Sequence, residues 1–256
     1  MDPVPGSCKR GNGKMRLLLI RHGDPDYDLD DLTEAGKRES VLLAERIAPL
    51  EVEQYYVSPL GRAAATAAPT LHKAGRQALV LDWLKEFSIP IHRPDREDRS
   101  PIPWDWLPTD WLADERLLSA QRWRENDVLK EASVGQAYDQ VIAEFDALLA
   151  QYGYEREGLL YRVRCPNQCT LVFFTHLGLS CLLLSHLLNC SPFVLWQGTA
   201  PAPSSVTTVY TEERRAGTAI FRVTSLGDTA HLYANDTRPS FAARFCETYG
   251  NGDRVD

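Results

Sequence analysis

From position 169 to position 196 the chain carries no Lys, Arg, Asp or Glu (CTLVFFTHLGLSCLLLSHLLNCSPFVLW). A stretch of that length either crosses a bilayer as one helix or is buried inside a protein as two shorter elements. The internal pattern separates these readings. Residues 170–175 are β-branched, aromatic or leucine, and residues 179–188 are rich in leucine. His176 and Gly178 stand at the break, and a polar histidine in the middle of a bilayer is costly. The stretch therefore reads as a buried strand, a turn and a buried helix, with no membrane span.

The same alternation runs through the N-terminal third. Arg16 to Ile20 (RLLLI) is a short apolar run suited to a central strand buried on both faces. A helix is predicted from Thr33, as N-cap, to about Ala48, ahead of Pro49. Tyr55 to Val57 is a second strand, followed by a helix over 59–73 with Ser58 as N-cap and Pro59 in its first turn. Leu79 to Leu81 is a third strand. This order predicts a largely parallel sheet covered by helices. Between 88 and 130 the pattern breaks: Pro90, Pro94, Pro101, Pro103 and Pro108 interrupt it, and Trp104, Trp106, Trp111 and Trp123 cluster there. That segment reads as an insertion packed by its own aromatics. Val134, Tyr138, Val141, Phe145, Leu148 and Tyr152 then recur at helical spacing. Two late strands, 205–210 and 219–225, are read as joined by a charged turn over 212–215. The expected organisation is a loose arm (1–14), one α/β domain (15–233) and a polar tail (234–256).

Charge and cysteines narrow the class. Lys plus Arg total 28 against 35 Asp plus Glu, a net charge of −7, which argues against a broad nucleic-acid or anionic-membrane surface. The 6 cysteines come without an apolar leader segment, so thiols in a reducing cytoplasm are expected. Cys165 and Cys169 lack a second matching pair, and no metal site is assigned.

The candidate chemistry lies at the strand ends. Arg21-His22-Gly23 directly follows the first strand, and His176 directly follows strand 170–175. Arg62 stands one turn into the helix after the second strand, and Glu86 a few residues beyond the third. In a parallel α/β sheet, ligands bind beyond the carboxyl ends of the strands, so separate segments deliver these five groups to one edge. Guanidiniums bind phosphate oxygens as forks, and a neutral imidazole can take a phosphoryl group. A second imidazole can stabilise the developing charge, a helix N-terminus near residues 59–62 adds favourable dipoles, and Glu86 can protonate the leaving oxygen. Asp82 and Glu97 are alternative acids, and His231 reads first as structural. Other phosphatase patterns fail: no cysteine begins Cys-x5-Arg, and Asp28-Leu29-Asp30-Asp31-Leu32 follows a polar loop, not an apolar strand.

In these motifs the chain resembles the histidine phosphatase superfamily, the phosphoglycerate mutase-like proteins. The matching segments are Leu17-Leu18-Leu19-Ile20-Arg21-His22-Gly23, Leu32-Thr33 with Gly36, and Ser58-Pro59-Leu60-Gly61-Arg62-Ala63 with Thr66-Ala67. They continue in family order with Glu86-Phe87, Phe173-Phe174-Thr175-His176 with Gly178, and Gly227-Asp228-Thr229-Ala230-His231-Leu232. The resemblance implies a three-layer α/β/α sandwich with a mostly parallel central sheet and a helical or irregular cap over about 89–167. It implies that His22 becomes a phosphohistidine, that Arg21, Arg62 and His176 bind the phosphate, and that Glu86 is first acid and then base. The expected substrate is a small phosphate ester, and no metal or other cofactor is required. Three departures stand out: Leu177-Gly178 replaces a glycine pair, Ser88-Ile89-Pro90 follows Glu86-Phe87, and Asp24-Pro25-Asp26-Tyr27 follows Arg21-His22-Gly23. The last argues against mutase contacts. A phosphoglycerate mutase-like transferase and a non-catalytic phospho-ligand binder remain the alternatives, and the intact set of His22, Arg21, Arg62 and His176 argues against the binder.

Overall fold

Leu17 and Leu19 face one side of the first strand and Leu18 and Ile20 the other, and all four are buried. The alternation of a strand therefore feeds two separate cores, and helices must cover both faces. The computed structural model, which describes residues 13–95 and 97–240, has that arrangement. In chain order its elements begin with β1 (Arg16–Arg21), the short ribbon β2 (Pro25–Asp26) and β3 (Asp31–Leu32), and α1 (Glu34–Ile47). Next come β4 (Gln54–Val57), α2 (Gly61–Ala74) and β5 (Ala78–Val80). The cap carries α3 (Pro108–Trp111) and α4 (Asp127–Glu131) and leads into α5 (Val134–Gln151). The hairpin β6 (Tyr154–Glu157) and β7 (Leu160–Val163) precedes β8 (Thr170–Thr175), α6 (Leu177–Leu188) and α7 (Pro192–Gly198). The order ends with β9 (Val206–Arg215), β10 (Thr218–Asp228) and α8 (Ala230–Tyr233).

Among the described residues the sheet has 8 strands, in the order β5-β4-β8-β1-β9-β10-β7-β6. Pairing is parallel from β5 to β1, with Leu19 opposite Phe173, and antiparallel from β9 onward. The half that carries the candidate residues is thus parallel within a mixed sheet. Leu18, Ile20, Val57, Val172 and Phe174 pack with Leu43, Ile47, Ala63 and Ala67 of α1 and α2. Leu17, Leu19, Tyr56, Leu171 and Phe173 pack with α5, α6, α7 and the cap on the other face. Strand, turn and helix account for 169–196 as expected, and among the described residues no helix is long and apolar enough to cross a membrane.

Several local expectations change. The helix α2 starts at Gly61, not at Pro59, because Leu60 still has an extended backbone (φ −75°, ψ 139°). The charged segment 212–215 is strand, not turn; Glu212 pairs with Arg222 of β10 at 2.8 Å, and the reversal falls at Gly217 with φ +83°. The hairpin β6–β7, within the range read above as cap, adds two strands to the sheet. It is anchored by Tyr154 and Tyr161, each 1% exposed, against Phe221. Its short segments mix tyrosine with charge, which conceals them in the sequence. Trp104, Trp106 and Trp123 are buried core residues, so these rings pack the cap down rather than offer a free ligand face. Among the described cysteines, Cys165, Cys181 and Cys190 are free but Cys169 is in a disulfide, which departs from the expectation of thiols throughout. Residues 1–12 of the expected arm and 241–256 of the expected tail lie outside the described residues.

Candidate active site

His22 emerges from the end of β1, where its backbone is held from both sides. Its N–H donates to the Thr175 carbonyl at 2.9 Å, and its carbonyl accepts from the Ser204 N–H at 2.9 Å. The ring is 2% exposed. Its Nδ1 lies 2.8 Å from the Gly23 carbonyl, an acceptor only, so Nδ1 carries the proton and Nε2 keeps its lone pair. The glycine at position 23 is a packing requirement: a Cβ there would meet the Gly36 carbonyl oxygen at 2.9 Å. A Cβ on Gly36 would come 2.3 Å from the Asp24 carbonyl oxygen. Backbone lies on backbone where β1 turns under α1.

His176 is fully buried at the end of β8, its ring centroid 5.2 Å from that of His22. Its Nε2 lies 2.8 Å from the Ser58 hydroxyl, which also accepts the Leu60 N–H at 3.2 Å. The His176 Nδ1 is buried without a partner. Burial, with Arg21 and Arg62 beside it, holds the His22 pKa well below the ordinary histidine value. Burial, then the neighbouring His22, Arg62 and Arg21, does the same for His176. Both rings are neutral at pH 7 before an anion arrives.

Arg21 is 4% exposed, and its Nη1 donates to the Pro201 carbonyl at 2.6 Å. Arg62 leads α2, and its Nη1 donates to Asp30 Oδ1 at 2.6 Å while its Nε is buried without a partner. Glu86 is carried in by the turn over 82–84, which Thr175 Oγ1 ties down through the Leu84 carbonyl at 3.0 Å. Its carboxylate accepts from the N–H groups of Phe87 at 2.9 Å, Leu179 at 3.0 Å and Gly178 at 3.3 Å. Burial pushes its pKa up against the pull of those donors, and burial wins. The other two acids are placed differently: Asp82 is 82% exposed and paired with Lys85, and Glu97 is exposed.

At the helix N-terminus near residue 61 one N–H is already taken, because Asp30 Oδ2 accepts the Gly61 N–H at 2.7 Å. Asp30, Ser58, Thr66 and Ser204 are contacts of the site that sequence reasoning did not select. Thr66 Oγ1 accepts the Gly23 N–H at 2.9 Å, and its place one turn after Arg62 was the available signal.

Gly178 has a specific function here. A Cβ at that position would lie 2.0 Å from the Trp104 ring, and its carbonyl accepts the Trp196 Nε1–H at 2.9 Å. Gly178→Ala is expected to destabilise the protein by about 1–3 kcal/mol, the range for overpacking a buried site. The readout is a lower thermal midpoint with a changed tryptophan emission; an unaltered midpoint would refute the contact.

His231 sits behind the site, 5% exposed, with Nε2 at 3.3 Å from Ser204 Oγ and Nδ1 at 3.5 Å from Arg46. Burial and then Arg46 bring its pKa down to about 4, with Asp228 opposing. The folded protein therefore binds fewer protons here than the unfolded chain between the ordinary value of 6.5 and 4. The stability that His231 contributes is complete above pH 6.5 and is lost as the pH falls toward 4. His22 and His176 share this sign. Thermal midpoints measured across that window should decline, and more shallowly in His231→Asn; identical slopes would count against the assignment.

At the carboxyl edge of this α/β sheet the structure gathers two neutral imidazoles, two guanidiniums and a carboxyl, groups whose chemistry suits a phosphoryl ligand. The profile of the histidine phosphatase superfamily (branch 1) matches residues 17–222, which contain all five groups, and the chain belongs to that superfamily. A probable phosphatase from Schizosaccharomyces pombe is 35% identical over 66 residues, a match covering 22% of this chain and 32% of that protein's length. The fold is shared with a mycobacterial glucosyl-3-phosphoglycerate phosphatase, at TM-score 0.53 and 20% identity over 84% of this chain and 99% of that one. It is shared also with a phosphoserine phosphatase of Entamoeba histolytica, at TM-score 0.51 and 18% identity over 85% and 99% of the two chains.

Proposed function

We propose that this protein hydrolyses phosphate monoesters without a metal ion, through a phosphohistidine on His22 with Glu86 as proton donor. The observation that carries this reading is the fixed tautomer of His22. Its Nδ1–H is committed to the Gly23 carbonyl and its pKa is depressed, so Nε2 is a free lone pair at neutral pH. Arg21, Arg62 and His176 surround that ring and supply the donors that a phosphoryl group needs.

In the first step the Nε2 lone pair forms a bond to phosphorus as the ester P–O bond breaks. The electron pair leaves with the alcohol oxygen, which takes the proton from Glu86. The guanidiniums of Arg21 and Arg62 and the Nδ1 side of His176 balance the charge on the equatorial oxygens. In the second step Glu86, now a carboxylate, accepts a proton from water as its oxygen attacks phosphorus. The N–P bond breaks, and His22 regains its lone pair. Family membership supports the reaction class, and the raised pKa of Glu86 supports its part as acid.

The test is hydrolysis of 4-nitrophenyl phosphate in excess EDTA, with a search for an acid-labile, alkali-stable phosphoenzyme. Persistence of activity and a label on His22 are expected. Activity abolished by EDTA would overturn the metal-free mechanism.

A further inference from the structure

The segment after Arg21-His22-Gly23 is where the sequence departs from the mutase pattern, and it folds into a small ribbon over the site. β2 and β3 pair Pro25 with Leu32 and Asp26 with Asp31, leaving residues 27–30 as the tip. Asp26 Oδ1 accepts the N–H groups of Asp28 at 3.1 Å and Leu29 at 3.2 Å, which fixes the tip's shape. Asp30 takes a left-handed backbone, φ +49°. From there its carboxylate bridges Arg62 Nη1 at 2.6 Å and the Gly61 N–H at 2.7 Å. Tyr27 lies alongside: its ring is 5.5 Å from the Arg62 guanidinium carbon, and it acts electrostatically on Arg21. The tip thus bears on both arginines of the candidate site.

We propose that Asp30 is a specificity-determining residue, which selects phosphate esters whose leaving group is neutral or cationic and rejects those with a carboxylate or second phosphate beside the ester. This rests on the phosphatase reading, because it places the phosphate on Arg21 and Arg62. Asp30 occupies one arm of Arg62 on the rim, and the guanidinium's Nε, buried and without a partner, remains for the phosphate. A second anion on the substrate then meets a carboxylate at the position where it would need a free cation. Burial pushes the Asp30 pKa up, but the Gly61 N–H and Arg62 outweigh it and hold it below the ordinary value, so the charge is present at neutral pH. Asp30 is 42% exposed, which lets the field reach an approaching ligand and lets salt weaken it. No Lys or Arg occurs in residues 24–31 to reverse the sign of the ribbon.

The experiment compares glycerol 3-phosphate with 3-phosphoglycerate, which differ by a carboxylate next to similar carbon chains. Affinities are read by calorimetry, and kcat/KM by phosphate release, for the parent protein, Asp30→Asn and Asp28→Asn. The parent is expected to favour glycerol 3-phosphate by about tenfold or more. Asp30→Asn should reduce that ratio by about 3- to 10-fold, chiefly through better binding of 3-phosphoglycerate, with a smaller effect at high salt. Asp28→Asn, which leaves the bridge to Arg62 intact, should keep the parent ratio. Equal affinity of the parent for both esters, an unchanged ratio in Asp30→Asn, or an equal change in Asp28→Asn would each overturn the proposal. Should Asp30→Asn not fold, Asp30→Ser is read the same way. Discrimination in binding without turnover of any ester, 4-nitrophenyl phosphate included, would overturn the phosphatase reading and leave the role of Asp30 standing. Turnover of 4-nitrophenyl phosphate with equal affinities would do the reverse, and binding of neither ester would remove both.

Discussion

Replacing His22 by alanine is expected to lower turnover of 4-nitrophenyl phosphate by about 10⁴- to 10⁶-fold, the scale seen when a covalent nucleophile is removed. The size follows from what is lost. On the proposed mechanism Arg21, Arg62 and His176 should stay in place and still bind phosphate, but no lone pair would face the phosphorus atom, and water would have to attack unaided. Phosphate and vanadate affinity should therefore change far less than kcat. No labelled phosphoenzyme should form. The variant should fold, because the His22 backbone keeps its bonds to Thr175 and Ser204. A variant that retains a tenth or more of the parent rate would sink the phosphohistidine mechanism.

Glu86→Gln is expected to slow alkyl phosphate hydrolysis by about 10²- to 10⁴-fold, the usual contribution of a positioned general acid. The loss should be much smaller for 4-nitrophenyl phosphate, whose leaving group departs as an anion without help. The amide oxygen can still accept the Leu179 N–H that Glu86 accepts at 3.0 Å, so the start of α6 should stay ordered. The pH profile gives a second signature. The Glu86 pKa is raised, and the protonated acid is the competent form for the first step. Alkyl phosphate turnover should hold below that raised value and fall as pH increases through it, and this limb should vanish in Glu86→Gln. A uniform loss across leaving groups, with the limb retained, would move the acid to another residue.

Much of the candidate site's placement was legible because its residues follow buried strands. β1 and β8 are apolar runs with sharp ends, and Arg21, His22 and His176 are the next positions along the chain, so knowing the strand gives the location. Glu86 was harder to read, since its place depends on a single turn and on Thr175 reaching the Leu84 carbonyl from another strand. Asp30 was invisible as a functional residue. Its contact with Arg62 requires a left-handed residue at the tip of a ribbon whose strands are 2 residues each, and no hydrophobic period marks such an element. The antiparallel half of the sheet was only partly readable for a related reason. β6, β7 and the far ends of β9 and β10 lie at or near the sheet edge, where charged side chains on the water-facing side break the apolar pattern.

The strand order has a consequence for how the molecule comes into being. β1 leaves the ribosome ahead of both its neighbours, β8 and β9, with partners such as Arg16 and Thr170 separated by 154 positions. Until those later strands are made, this buried strand has two open edges, the arrangement most prone to pair with another chain. Contacts of such long reach are slow to form. The first half of the nascent protein can gather α1, β4 and α2, but it has nothing to insert between β4 and β1. His22 is thus synthesised before the strand that fixes it: its backbone gains the Thr175 carbonyl as partner only when β8 threads between β4 and β1.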